Sequence, residues 1–281
     1  MASIGVVTDS AADLGRDIAA AKGLTVVPLT VTLDGRDFVD QVELSTEEFW
    51  SRCRSGAVPS TAAPSIGAFR EAFLESSQHR DGVLCVTLAS RFSATYQAAC
   101  AAAQSVRAEV RVRVVDSTSV SVGQGLMVLA ACELATKAAS LDHLADQVTN
   151  RLRHIRLVGL LDTLDHLRRG GRIGGLRALL GQILSVKPVV EVKDGEVELL
   201  SRERTRRRGL AALAKEAVDH DPGTGVTLAH ASAPDLDDIL SVLGDHGLPV
   251  PTAIRDFGAV IGSHVGPGAV GLAFAVRPAS D

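Results

Sequence analysis

The chain has 281 residues, 29 Lys and Arg against 33 Asp and Glu, a formal charge of −4 and 46% hydrophobic residues. That composition excludes disorder, and the mildly acidic balance speaks against a nucleic-acid protein. Aromatic residues are only 3% of the chain, too few for a base-stacking platform, so its apolar content is almost entirely aliphatic.

The first two thirds alternate β-branched runs with helical patterns. Residues 3–8 predict a strand and 14–22 a helix. Residues 24–33 predict one longer strand, turned at Asp34-Gly35 into a short return through Phe38. Ser45 and Glu48 form a capping-box pattern that starts a helix to about Arg54, and Pro64-Ser65 opens another to about Ser77. A strand at 82–88, an Ala-rich helix at 93–106, a strand at 110–115 and helices at 123–137 and 141–152 follow. Strands alternating with helices imply parallel βαβ units.

After Arg153 the pattern changes. A strand at 157–161 leads through 163–168 to Gly170-Gly171, with a helix expected at 175–184. Strands at 186–192 and 197–200 flank a hairpin turn at Asp194-Gly195. Helices at 206–218 and 234–244 surround a strand at 226–230, and strands near 251–257 and 270–276 end the chain. The expected architecture is α/β in two domains: a parallel sheet flanked by helices over 1–153, and a mixed sheet with helices over 154–281.

Residues 257–276 contain no Lys, Arg, Asp or Glu, but five glycines, Pro267 and His264 interrupt the run, so it reads as buried strand and loop. Cys53, Cys85, Cys100 and Cys132 are widely spaced, as reduced, buried cytosolic thiols would be, and fit neither zinc nor a disulfide framework. The N-terminus lacks a basic n-region and meets Asp9, unlike a signal peptide.

Ligands of open parallel sheets bind beyond the carboxyl ends of the strands. Asp9 and Ser10 end the first strand, Ser90, Ser93 and Thr95 follow the 82–88 strand, and Asp116, Ser117, Thr118 and Ser119 end the next. Thr61 and Ser65 flank Pro64 before a helix. Each could be a plain N-cap; together, neutral hydroxyls at helix starts suit a carboxylate or phosphate better than a metal. Gly170-Gly171-Arg172 either forms a turn with solvated arginines or lets the backbone approach a ligand while Arg172 meets an anion. Arg202, Arg204, Arg206, Arg207 and Arg208 form either a solvated helix start or a docking surface for an acidic partner. His264, between glycines on an expected loop, reads as functional.

Gly266 to Gly271 satisfies G-x-G-x-x-G, but too little chain follows for a βαβ unit. No Walker-type phosphate loop, G-x-S-x-G elbow or H-E-x-x-H is present, and a Ser–His–Asp triad could be assembled from many candidates.

Taken in order, these clusters resemble the DegV family. Asp9-Ser10-Ala11-Ala12-Asp13-Leu14 matches its opening motif, and Thr61-Ala62-Ala63-Pro64-Ser65 is similar to its T-S-Q-P-S. The run from Ser90 to Ala99 is similar to S-x-x-x-S-G-T-Y-Q-x-A, one position shorter in its leading spacing than some members. Asp116 to Gly125, Leu164 to Ile173, Lys187-Pro188 with Asp194-Gly195, and Gly262 to Ala269 match the remaining motifs.

The resemblance implies a long-chain fatty acid, such as palmitate, in a tunnel between two domains. It implies a binding subunit of a two-component fatty acid kinase rather than a catalyst, with a separate ATP-using kinase forming the acyl phosphate. Thr61 and Ser93 would hold the carboxylate, and Arg172, Arg204 and His264 would face the phosphoryl group or the partner. Asp9, Ser10, Thr95 and Ser117 would support the rim. No cofactor, metal or nucleic acid is implied; the place is the cytoplasm, with room for transient contact with a membrane surface. The alternative is a stand-alone hydrolase or phosphotransferase using His264, Arg172 and a rim serine. Ala62 and Ala63 replace the family's Ser and Gln, and Ala94 puts a methyl where the family has Gly.

Overall fold

The computed structural model describes residues 2–179, 186–223 and 225–276. In the first half, β1 (Ile4–Asp9) passes through a 3-10 turn to α1 (Arg16–Lys22) and β2 (Thr25–Val27). β3 (Thr30–Leu33), β4 (Arg36–Val39), α2 (Thr46–Arg54) and β5 (Ser60–Ala62) come next. They are followed by α3 (Ile66–Ser76), β6 (Gly82–Thr87), α4 (Thr95–Ser105), β7 (Val112–Asp116), α5 (Ser121–Ala135) and α6 (Leu141–Leu152).

The second half runs β8 (Ile155–Leu160), α7 (Asp165–Arg169), a 3-10 helix at Gly174–Leu179, β9 (Lys187–Lys193), β10 (Glu196–Glu203) and α8 (Arg206–Asp219). It continues with β11 (Val226–His230), α9 (Leu236–Asp245), β12 (Ala253–Asp256), α10 (Ala259–Val265) and β13 (Val270–Ala275).

β1 and β6 are buried along their whole length, as the central strands of a parallel sheet covered on both faces must be. That sheet has the order β2-β1-β6-β7 and is entirely parallel. One face packs on α5 and α6 through Leu84, Val86, Val128 and Leu144; the other packs on α3 and α4 through Val7, Phe69 and Phe73. The order reverses between β1 and β6, which places the crevice for a ligand at Asp9 and Leu88.

The second sheet, β10-β9-β8-β13-β11-β12, is antiparallel except for the β11–β12 pair. Asp194 and Gly195, both at positive φ (50° and 74°), supply the tight turn between β9 and β10. Helices α8 and α9 cover one face through Leu210, Leu213 and Ile239. The other face meets the first half of the chain in a shared core that includes Leu88, Leu157, Val190 and Phe257.

Four expectations need correction, the last of them the burial of the cysteines. The strand expected over 24–33 is two strands: β2 joins the parallel sheet, while β3 pairs with β4 and β5 in a separate three-stranded sheet. Pro28 stands at the break, where the missing N–H interrupts a ladder. The helix expected over 175–184 is a 3-10 helix over Gly174–Leu179; the rest lies outside the described residues. His264 sits on α10, not on a loop. This helix is only seven residues long and carries Gly262 at its centre, so neither periodicity nor propensity announces it.

Packing makes that helix. Gly262 faces the edge-to-face pair Phe49 and Trp50, and a Cβ there would stand 2.6 Å from Phe49 Cε1. Trp50 also donates its indole N–H to the Phe257 carbonyl at 3.1 Å. All four cysteines are free, but only Cys85 is fully buried; the other three are half-buried rather than buried as expected.

Candidate functional site

A cavity of about 940 Å³, counting its open mouth, lies between the parallel sheet's ligand edge and the second sheet. Leu29, Leu88 and Phe92 line it from one half, and Leu157, Val190 and Val260 from the other. The polar side chains in its wall are Thr61, Ser93, Ser121, Arg172 and His264.

Thr61 is carried by β5, an edge strand set by pairing Val31 with Thr61. His264 comes from α10, and the pair meets at 2.9 Å between Thr61 Oγ1 and His264 Nε2. Burial, with the Arg172 guanidinium and His166 beside it, lowers the His264 imidazole to about 4, so it is neutral at neutral pH. Its Nδ1 is buried with no hydrogen-bond partner among the described residues. A buried orphan acceptor costs less than a buried orphan N–H, which assigns the single proton to Nε2. His264 therefore donates to Thr61 Oγ1, and the Thr61 hydroxyl hydrogen is left for a ligand.

Ser93, just before α4, shares a 2.8 Å hydrogen bond with the Thr95 hydroxyl and accepts from the Thr95 N–H at 3.3 Å. Arg172 follows Gly170-Gly171 and donates to the Phe92 carbonyl at 2.9 Å and the Gly170 carbonyl at 2.5 Å. Those two carbonyls fix the guanidinium in the cavity wall. Neither could be anticipated from sequence, since a backbone acceptor carries no residue-type signal.

The remaining expected residues lie elsewhere. Arg204 is exposed just beyond β10 and does not line the cavity. Asp9 is fully buried and accepts from the Ala11 and Leu88 N–H groups at 3.1 and 2.8 Å. Ser10 accepts from Leu29 N–H at 3.0 Å, and Ser117 donates to the Ser119 carbonyl at 2.9 Å. Thr95 is buried behind Ser93. Ala63 lines the cavity, whereas Ala62 and Ala94 are exposed and do not.

Chemically, the site offers neutral hydroxyl donors and one anchored guanidinium around the head of an otherwise apolar hollow. Thr61 and His264 resemble a nucleophile–base pair, but no acceptor orients His264 Nδ1, the third member such triads use. Among the described residues no group of three or more His, Cys, Asp or Glu is placed to hold a metal ion, and no helix is long and apolar enough to cross a membrane.

Two α/β layers closing on an apolar cavity with a small polar head region define the architecture of a small-molecule pocket built between two sheets. Residues 3–277 match the family described as "Uncharacterised protein, DegV family", and the chain belongs to the DegV family. A DegV domain-containing protein of Caldanaerobacter subterraneus subsp. tengcongensis is 33% identical over 283 residues, spanning 98% of this chain and 99% of the relative. A Thermus thermophilus DegV family structure, described as showing fatty acid binding, has TM-score 0.87 and 34% identity over 98% of this chain and 100% of that one. The DegV protein of Bacillus subtilis, described as a fatty acid binding protein, has TM-score 0.87 and 27% identity over 99% of this chain and 100% of that one.

Proposed function

We propose that this chain binds a long-chain fatty acid such as palmitate between lobes 1–153 and 154–281, with the carboxylate at Thr61 and Ser93. The observation that carries this reading is the cavity itself: apolar walls from both halves of the chain, with Thr61, His264 and Arg172 grouped at one region. The fatty acid binding described for the Thermus and Bacillus relatives supports it.

The energetics agree. A sixteen-carbon chain, at about 0.8 kcal/mol per buried methylene, offers roughly 11 kcal/mol, against an association cost of about 4 kcal/mol upward. The tail supplies affinity, so the head needs only orientation. Neutral donors serve that end, because a carboxylate locked in a buried ion pair would be hard to hand to a second protein.

In this reading the bound acid is presented to a separate ATP-dependent kinase in the cytoplasm, which phosphorylates the carboxylate. Arg172 and His264 face the arriving phosphoryl group, and the exposed Arg204 faces the partner. Mass spectrometry of lipid extracted from the purified protein is the test, with a sixteen- or eighteen-carbon acid expected. A protein that carries no lipid and binds neither palmitate nor oleate would sink the proposal. Turnover of a small ester or phosphate by the chain alone would favour the hydrolase or phosphotransferase reading instead. His264→Ala is expected to retain palmitate while slowing phosphorylation by the partner.

A further inference from the structure

A second hollow of about 710 Å³, counting its open side, adjoins the head of the acyl cavity and shares Thr61, Arg172 and His264 with it. Its outer wall adds Ser60, His166 and Arg169, and no acidic side chain lines it. The nearest carboxylate in the sequence, Asp165, is engaged by Arg168 at 3.2 Å and by the Thr163 hydroxyl at 3.1 Å.

The two histidines are held by a reciprocal packing. A Cβ on Gly170, just after α7, would stand 2.2 Å from His264 Nδ1; a Cβ on Gly266, just after α10, would stand 2.2 Å from His166 Cδ2. Each helix thus ends in a glycine that makes room for the other helix's imidazole. Both rings lie flush against backbone, and both face the same vestibule.

We propose that His166 and Arg169, in the outer wall of this vestibule, are specificity-determining residues that tell a phosphorylated head from a bare carboxylate. The proposal rests on the fatty-acid reading above. A chain whose carboxylate sits at Thr61 has the vestibule as the next space outward. A phosphorylated carboxylate brings a dianion there, and Arg172, with two of its N–H groups already given to the Phe92 and Gly170 carbonyls, cannot alone satisfy it.

Arg169 and His166 are poised to complete the set. Arg169 Nη2 lies 3.2 Å from His166 Nδ1, so the guanidinium donates to the imidazole lone pair and the His166 hydrogen is on Nε2. Burial, then the charge of Arg169, holds His166 below its ordinary range, and so without positive charge, when the vestibule is empty of anions. A dianion reverses that balance. Once protonated, His166 can no longer accept from Arg169, and both groups become free donors toward the phosphoryl oxygens.

The test compares palmitate with hexadecylphosphonate by titration calorimetry on wild-type protein, Arg169→Gln and His166→Gln. Arg169 is exposed, so its variant carries little folding risk. Arg169→Gln should weaken the phosphonate about tenfold and His166→Gln about fivefold, with palmitate within about twofold of wild type. In wild type the phosphonate, and not palmitate, should shift the imidazole NMR signals of His166 toward the protonated form. Parallel loss of both ligands, or no loss of either, overturns the assignment. Inorganic phosphate shifting His166 as strongly as the phosphonate overturns the chain-linked source. Wild type that binds palmitate but not the phosphonate defeats this proposal alone, whereas failure to bind palmitate defeats the fatty-acid reading beneath it.

Discussion

Two polar regions lie at the ligand edge of the parallel sheet, and they use similar residues for opposite ends. In the first, side chains serve the main chain: Asp9 takes the Ala11 and Leu88 N–H groups, and Ser10 takes that of Leu29. Asp13 takes the Gly258 N–H at 3.0 Å and the Ser121 hydroxyl at 2.6 Å, joining β1's end to the start of α10. In the second, side chains serve one another: His264 meets Thr61, and Ser93 meets Thr95. A side chain buried away from the cavity and spent on backbone, as Asp9 is, is scaffold; Arg172 is spent on backbone too, but in the cavity wall, where the two carbonyls aim it. A side chain whose partner is another side chain at a cavity wall keeps a hydrogen or a lone pair for a ligand.

The largest expected effect falls on the scaffold. Asp9→Ala leaves two buried N–H groups without their acceptor and opens a void, and should cost about 3 kcal/mol in chemical denaturation. A loss under about 1 kcal/mol would break the distinction between the two regions, because Asp9 would then have no structural charge to carry.

The regions should also respond to pH with opposite signs. Burial pushes Asp13 up to about 8, and Asp9 and Asp40 up to about 6, from 3.8. The folded state then holds protons the unfolded state has lost, so their contribution is largest near pH 4 and declines as pH rises through those values. His264, lowered from 6.5 to about 4, works the other way: between those values the unfolded state binds the extra proton, and stability rises with pH. Each group contributes at most about 1.4 kcal/mol per pH unit within its window. From about pH 6.5 to 8 Asp13 acts alone among these four, so Asp13→Asn should flatten the decline there. His264→Gln should steepen the fall below pH 6.5. Unfolding curves across this range that leave either slope unchanged would contradict the assigned burial.

Much of this was legible in the sequence, and the limits have physical causes. The apolar runs within β1 and β6 and the Asp-Gly turns announce a buried parallel sheet and two hairpins before any coordinate is known. The capping pattern at Ser45 also holds: its hydroxyl accepts from the Glu48 N–H at 3.1 Å, although the Glu48 carboxylate turns to Arg52. Motif order pointed to Thr61, Ser93, Arg172 and His264. Composition could not separate Ser93 from Ser117, because both follow strands and only side-chain direction decides which one faces the cavity. Helix α10 and strand β5 escaped notice because contacts distant in sequence, Phe49 and Trp50 for one and β3 for the other, create them. His166 gave no motif signal; it becomes conspicuous only when Gly266 is seen to yield to its ring.

Substitutions at the head region should spare the fold and spoil retention. Thr61→Ala removes the hydroxyl that His264 leaves free to donate, and should weaken palmitate about tenfold; it also takes the acceptor from His264 Nε2, so stability should fall by about 1 kcal/mol, well short of the Asp9→Ala loss. Ser93→Ala should cost less, about threefold, because the Thr95 hydroxyl stands 2.8 Å behind it and can turn toward the ligand. A stability loss as large as that of Asp9→Ala in either variant would move that residue into the scaffold class.

The smallest effects come from the alanines that depart from the family's motifs, and they test the same distinction at the level of a methyl group. Ala63 lines the cavity, so Ala63→Gln puts a long polar side chain into the acyl space and should shift preference toward shorter acids in competition binding. Ala94 is the N-cap of α4 at φ −70° and ψ 4°, exposed and away from the cavity wall. Glycine has no conformational advantage at that φ, and a lost methyl there opens no ligand space. Ala94→Gly should therefore leave the acyl profile unchanged and alter stability by no more than about 0.5 kcal/mol. A shifted acyl profile in Ala94→Gly would mean that α4's first turn reaches the ligand, and the boundary drawn between Ser93 and its neighbours would have to move.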